Sequence, residues 1–393
     1  MASASKVPID GVCDARFTRV RDVFIENFES RGELGAAVAV TLDNRAVVDL
    51  WGGFVDPARS TKWTRDTIVN VYSTSKGLIA IAAHRLVDQG RLDLDAPVAK
   101  YWPEFAQAGK DRLPLRMLLN HQAGLPAVRA PLPDDAPFVW DKMTAALAAQ
   151  EPWWIPGTRH GYHAFTYGWL VGEVIRRVTN LTPGTYFRQQ VVEPLGLDCH
   201  IGLDSKHDSR VAPLQGPPPP KPGEVNPMAA LLADPESISA KAIANPPSLI
   251  PPLSVNTRRW RGAEIPAANG HTHARALARL YGALAGGGGV DEYRLLTRAA
   301  ITRCHTEESF GMDAVMGQSS RFSTGFMLSQ PGPETSLGPN PNSFGHPGAG
   351  GSIGYADPTA RVGFGYVMNQ MGTGVIIDPR AAALIDAVYQ SLS

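Results

Sequence analysis

The chain has 393 residues, 37 basic against 37 acidic side chains, and a hydrophobic fraction of 44%. That length buries a large core as one large domain or two interleaved ones, and the balanced charge argues against nucleic acid or a polybasic membrane surface as partner. Three scattered cysteines, Cys13, Cys199 and Cys304, supply neither a disulfide framework nor a metal-ligand cluster.

The N-terminal Met-Ala-Ser-Ala-Ser-Lys-Val-Pro has no apolar export segment, and no apolar run reaches membrane-spanning length. Both features predict a soluble cytoplasmic protein. From Asp14 to Glu29, Phe17, Val20, Val23, Phe24 and Phe28 recur at helical spacing. Two strand patterns follow, Gly35 to Thr41 and Ala46 to Trp51, joined by a turn at Asp43-Asn44. The β-branched and aromatic run Thr67 to Tyr72 then predicts an extended lead-in to what comes next.

Next come Ser73-Thr74-Ser75-Lys76, followed by Leu78, Ile79, Ile81, Leu86 and Val87 at helical spacing and a stop at Gly90. Positions i and i+3 share one helix face, so a hydroxyl and an amine meet there. That suits a serine nucleophile whose proton is taken by a lysine. An ordinary lysine is protonated at neutral pH, but burial under an apolar helix lowers its pKa. A serine in the first turn also aims its own N–H toward a developing oxyanion. The same four residues read equally as a plain helix start, with Ser73 as N-cap and Lys76 solvated.

Residues 77 to 200 read as mostly helical, including Leu115 to Asn120, Asp141 to Gln150 and Tyr167 to Val178. Within them Trp153-Trp154-Ile155-Pro156-Gly157 leads to Tyr162-His163-Ala164, a turn that presents Tyr162 on a loop. Pro213, Pro217 to Pro220 and Pro222 permit neither helix nor central strand. Residues 205–269 therefore read as an insertion: a lid, an oligomer contact or a solvated loop. Ala274 to Leu284 is a helix ended by Gly286 to Gly289. Strand patterns return at Ser323 to Leu328, Ser352 to Tyr355 and Val362 to Met368, before a closing helix from Arg380 to Leu392. Phe344 to Gly351 is a glycine-rich strand suited to close approach of a ligand.

Together, Ser73-x-x-Lys76, Tyr162-His163-Ala164 and His346-Pro347-Gly348 resemble the serine β-lactamase and penicillin-recognising superfamily, and within it the class C β-lactamase-like family VIII carboxylesterases. The linking text agrees: Leu92-Asp-Leu-Asp95-Ala-Pro-Val, Leu118-Leu-Asn-His121-Gln-Ala-Gly124-Leu-Pro126 and Glu193-Pro-Leu-Gly-Leu197. The resemblance implies an α/β (α+β) fold, β-lactamase/transpeptidase-like, with an antiparallel sheet flanked by helices from both chain ends. It places residues 1–75 and 270–393 in the α/β part and 76–204 in a helical part, all within one catalytic unit, 1–393.

The resemblance also implies a serine carboxylesterase that hydrolyses short-to-medium chain esters through a Ser73 acyl-enzyme. Lys76 and Tyr162 share the base role, and Ser73 and Ala349 supply the oxyanion-hole N–H groups. His346, Gly348, Trp153 and His163 are the expected substrate contacts. Ala164 stands where the superfamily has Asn, and His346-Pro347 where β-lactamases have the Lys-Thr that grips a carboxylate. Both departures favour an ester without a carboxylate over a β-lactam or a D-alanyl peptide. An acyltransferase on the same scaffold, or a weak β-lactamase or D-alanyl carboxypeptidase-like hydrolase, is the alternative. His346 also reads as a satisfied strand histidine, and His121 as a structural one. No metal and no cofactor are expected, since His271 and His273 lack a third ligand at suitable spacing. Gly350-Gly351-Ser352-Ile353-Gly354 matches the α/β-hydrolase nucleophile elbow, but no helix pattern follows it, so glycine packing is the expectation there. The partner is a small-molecule ester; oligomeric state is not legible.

Overall fold

A computed structural model describes residues 7–219, 227–250, 254–332, 334–374 and 376–393. Nine strands drawn from the two chain ends form one antiparallel sheet. They are β1 (Ile9–Cys13), β2 (Gly35–Leu42), β3 (Arg45–Gly53), β4 (Ser309–Met312), β5 (Ser319–Phe322), β6 (Met327–Leu328), β7 (Phe344–Pro347), β8 (Ile353–Asp357) and β9 (Val362–Met368), in the order β1-β3-β2-β9-β8-β7-β6-β5-β4. The β2–β3 turn has Asp43 and Asn44 at φ 52° and 64°. Two positive φ values define the hairpin turn that matches strand twist, and these residue types tolerate it.

The helices that frame the site are α1 (Thr18–Ser30), α2 (Thr74–Asp88), α3 (Thr166–Thr179), α4 (Ile238–Ala244), α5 (Ala274–Ala285) and α6 (Pro379–Leu392). One sheet face packs on α1 and α6: Phe17, Val20 and Phe24 meet Val38, Tyr366, Leu384 and Val388. The other face carries α5, behind which α2 and α3 form the second core with Leu78, Ile79, Trp169 and Leu277. Sheet and α5 touch at backbone distance, for a Cβ on Gly363 would fall 2.2 Å from the Gly282 nitrogen. A three-stranded sheet, Val69–Asn70, His271–Thr272 and Cys199–His200, leads the chain into α2.

Several elements depart from the sequence reading. β1 was not expected, because Ile-Asp-Gly-Val-Cys shows no alternation; it forms by adding to the edge of β3. Leu115 to Asn120 makes only the single helical turn Arg116–Leu119. The strand expected over Ser323 to Leu328 is broken, since Gly325 has φ 99° and its N–H reaches the Leu119 carbonyl. Described residues of the insertion 205–269 are tied to the body. Gln215 bonds the main chain of Asn369 and Met371 beyond β9, and Asn245 clamps the main chain at Val128, Ala130 and Leu132. Pro220 and Pro222 lie outside the described residues. Among the described residues no helix is long and apolar enough to cross a membrane.

Candidate active site

The turn before α2 sets the site. Tyr72 has φ 41°, a conformation costing a bulky residue roughly 1–3 kcal/mol. Its neighbours hold it there: Val71 N–H donates to the Gly270 carbonyl, and the Ser75 hydroxyl bridges the Tyr72 carbonyl and the Gly270 N–H. Ser73 follows, half-buried, and its side chain makes no capping bond to the helix. The N-cap reading of Ser73 therefore fails and its hydroxyl is left for other work.

Lys76 is fully buried, with Nζ 3.1 Å from Ser73 Oγ, 2.6 Å from the Ala164 carbonyl and 3.1 Å from the Ala267 carbonyl. No carboxylate pairs with it among the described residues, and burial pushes its pKa well below the ordinary lysine value. A neutral amine has two N–H donors and one lone pair. In that form the two carbonyls accept both donors and leave the lone pair for the Ser73 hydroxyl, whereas a protonated Lys76 would donate to Ser73 Oγ as well. The neutral form is thus arranged as a base ready to take a proton.

Tyr162 lies over this pair. Lys76 Nζ is 4.7 Å from its ring centroid, and the ring is enclosed by Phe322 at 6.2 Å, His346 at 5.9 Å and His121 at 5.1 Å. Burial raises the phenol pKa, opposed by a hydrogen bond with Ser73. Tyr162 thus keeps its proton at neutral pH. A raised phenol pKa suits a proton relay better than a standing phenolate base.

His346 in β7 is buried, and its Nδ1–H donates to the Pro347 carbonyl at 2.7 Å. Its Nε2 finds no partner among the described residues. Burial pushes its pKa down to about 3, so it is a neutral ring with an open acceptor. Gly348 lies against the turn that precedes α2: a Cβ there would sit 2.1 Å from the Val71 carbonyl and 2.4 Å from Ser352 Oγ. Ala349, next along, is exposed. Among the described residues neither its N–H nor that of Ser73 has an acceptor. Trp153, Tyr162 and Ile238 of α4 pack against the same small cluster, Ala127, Ala242 and Val315, while the Trp153 indole N–H donates to the Ala127 carbonyl.

His163 corrects the sequence reading. Its Nδ1 bonds the Gly161 carbonyl at 2.7 Å and its Nε2 accepts the Leu125 N–H at 3.0 Å. With both nitrogens taken by main chain and the ring buried, nothing remains for a substrate. Its motif position does not separate it from a substrate contact; only the fold does. Ser352 is buried and donates to the Val71 carbonyl at 2.9 Å, with no base beside it. His273 Nδ1 caps α5 through the Ala276 N–H. Sequence reasoning missed the two carbonyls that orient Lys76, since main-chain atoms leave no residue signature. It also missed the tilted packing of His121 against Tyr162.

Known proteins share this arrangement's fold. The beta-lactamase family pattern matches residues 20–387. Esterase/beta-lactamase LipL of Mycobacterium tuberculosis is 34% identical over 377 residues, covering 94% of this chain and 85% of LipL. A penicillin-binding protein homolog from Caulobacter crescentus superposes with TM-score 0.89 at 43% identity, over 98% of this chain and 100% of that one. A family VIII carboxylesterase does so with TM-score 0.88 at 42% identity, over 98% and 100%. On this match of nearly the whole chain, the protein is a serine hydrolase belonging to the β-lactamase family.

Proposed function

We propose that the protein is a carboxylesterase that cleaves short-to-medium chain esters of uncharged acids through a Ser73 acyl-enzyme. Ser73 Oγ attacks the ester carbonyl carbon while its proton passes to Lys76 Nζ. The carbonyl oxygen becomes an oxyanion, held by the N–H groups of Ser73 and Ala349. A single donor of that kind contributes roughly 2.7–4 kcal/mol. The C–O bond to the alcohol then breaks, and the leaving oxygen takes the Tyr162 phenol proton, which Lys76 replaces. Water next adds to the acyl carbon and gives its proton to Lys76 through Tyr162; the bond from that carbon to Ser73 Oγ then breaks, Lys76 returns the proton to Oγ, and the acid departs.

The observation that carries this reading is the buried Lys76 Nζ, held by two main-chain carbonyls 3.1 Å from Ser73 Oγ with no carboxylate partner among the described residues. The preference for uncharged acids rests on His346. A neutral imidazole stands where the resembling β-lactamases carry a carboxylate-gripping lysine, so a substrate carboxylate would go unpaired. Trp153, Ile238 and Val315 around Tyr162 offer an apolar wall for an acyl or alkoxy chain. The names of LipL and of the family VIII carboxylesterase point the same way. Turnover of p-nitrophenyl acetate, butyrate and octanoate by wild type, and its loss in Ser73→Ala, tests the reading. Wild-type turnover that persists in Ser73→Ala refutes it.

A further inference from the structure

Tyr162 sits on a loop, so neither a helix nor a strand fixes where its phenol points. The loop is tied instead to Asp313, in the turn between β4 and β5, whose residue exposure is 1%. Oδ1 of Asp313 accepts the Tyr162 N–H at 3.0 Å and those of Val315 and Met316, each at 2.9 Å. Oδ2 accepts the Ser320 hydroxyl at 2.8 Å, and Ser320 Oγ lies 2.9 Å from His160 Nε2. The Ala314 N–H donates to the His160 carbonyl at 3.1 Å, closing the connection between hairpin and loop.

The energetics favour a purpose beyond the turn. A carboxylate removed from water without a cation is costly unless hydrogen bonds replace its hydration. Asp313 has no ion-pair partner among the described residues, and four donors stand in for water. Two of them, from Val315 and Met316, would suffice to close an Asx turn. The third comes from across the site, from the residue that carries the proposed relay. The Asp313 charge also opposes ionisation of the phenol, which keeps a transferable proton on Tyr162.

We propose that Asp313 is a positioning residue for acyl transfer, setting the Tyr162 phenol over Ser73 and Lys76 by gripping the Tyr162 main chain. The proposal rests on the assignment of Ser73 and Tyr162 above. Asp313 touches no reacting atom; it acts through Tyr162. The same turn seats the insertion, because the Ser239 hydroxyl of α4 donates to the Val315 carbonyl at 2.6 Å.

The test compares full-length wild type, Asp313→Asn and Asp313→Ala. Readouts are kcat and KM on p-nitrophenyl butyrate, and the p-nitrophenol burst on phosphonylation by a p-nitrophenyl alkylphosphonate. Asn keeps the Oδ1 acceptor; Ala removes it. Since a misplacement of about 1 Å costs on the order of 100-fold, Asp313→Ala should lose about that in kcat with KM little changed, and Asp313→Asn should stay within about 5-fold of wild type. Phosphonylation should slow in parallel. A folded Asp313→Ala with wild-type kcat overturns the proposal, as does equal impairment of the Asn and Ala variants. Should Asp313→Ala not fold, Asp313→Ser keeps a turn-capping hydroxyl that falls short of the Tyr162 N–H; unchanged kcat there is also contrary. A wild type that is phosphonylated but turns over no ester refutes the esterase reading alone, and the phosphonylation rates still decide the part played by Asp313.

Discussion

Gly348→Ala is the sharpest way to perturb the oxyanion site without touching a reacting group. The added Cβ would stand 2.1 Å from the Val71 carbonyl oxygen and 2.4 Å from Ser352 Oγ. Ordinary carbon–oxygen contact is roughly 3.3 Å, so β7 must retreat from the turn that precedes α2 by about 1 Å. Neither neighbour yields easily. Val71 is held by the Gly270 carbonyl, and Ser352 immediately precedes β8, which is paired along its length with β9. The displacement therefore falls on Ala349, whose N–H completes the proposed oxyanion hole. A shift of that size costs on the order of 100-fold, or about 2.7 kcal/mol of transition-state stabilisation. The loss should appear in kcat, because the oxyanion exists only in the transition state and intermediates. Steady-state kinetics on p-nitrophenyl butyrate, with thermal unfolding as a control, reads it directly. A folded Gly348→Ala enzyme with wild-type kcat would refute the assignment of Ala349.

Burial of Lys76 fixes the sign of the pH dependence. Its pKa is lowered by burial, so the neutral, active form persists to lower pH than in an ordinary lysine, and kcat/KM should level off well before about pH 10 and fall on acidification. A rate that climbs steadily to pH 10 would mean an ordinary lysine. Lys76→Met should cost roughly 10²–10⁴-fold in kcat, the usual worth of general-base help, as measured on the same ester. Ile238→Trp should crowd the wall beside Tyr162 and lower octanoate turnover relative to acetate by about 10-fold, one or two methylenes being worth that in an apolar pocket. An unchanged chain-length profile would place the acyl chain elsewhere. Ser352→Ala removes the bond to the Val71 carbonyl, so it should cost about 1 kcal/mol in stability while keeping kcat within about 10-fold. Complete loss of activity there would return Ser352 to candidacy as nucleophile.

What the sequence revealed of this site follows from which atoms do the work. Ser73 and Lys76 were legible because their spacing and the apolar residues after them encode a buried helix face. The strands β2, β3, β8 and β9 were legible through their β-branched residues and bounding turns. The carbonyls of Ala164 and Ala267 were not, since any residue supplies a carbonyl and only the fold decides where it points. Asp313 looks like any turn-forming aspartate, and its grip on Tyr162 spans 151 residues of chain. His163 misled because its residue type suits a substrate contact, while the main chain of Gly161 and Leu125 had already claimed both nitrogens. The short elements failed for a related reason. β1 and the single turn Arg116–Leu119 exist by packing against neighbours, with little local preference of their own.

The most direct measurement is covalent trapping of the nucleophile. Full-length protein, inactivated with a p-nitrophenyl alkylphosphonate, is digested and mapped by mass spectrometry, with Ser73→Ala alongside. The account predicts one equivalent of label, on the peptide containing Ser73, and none in the variant. Label on the Ser352 peptide, or stoichiometric labelling that persists in Ser73→Ala, would contradict it.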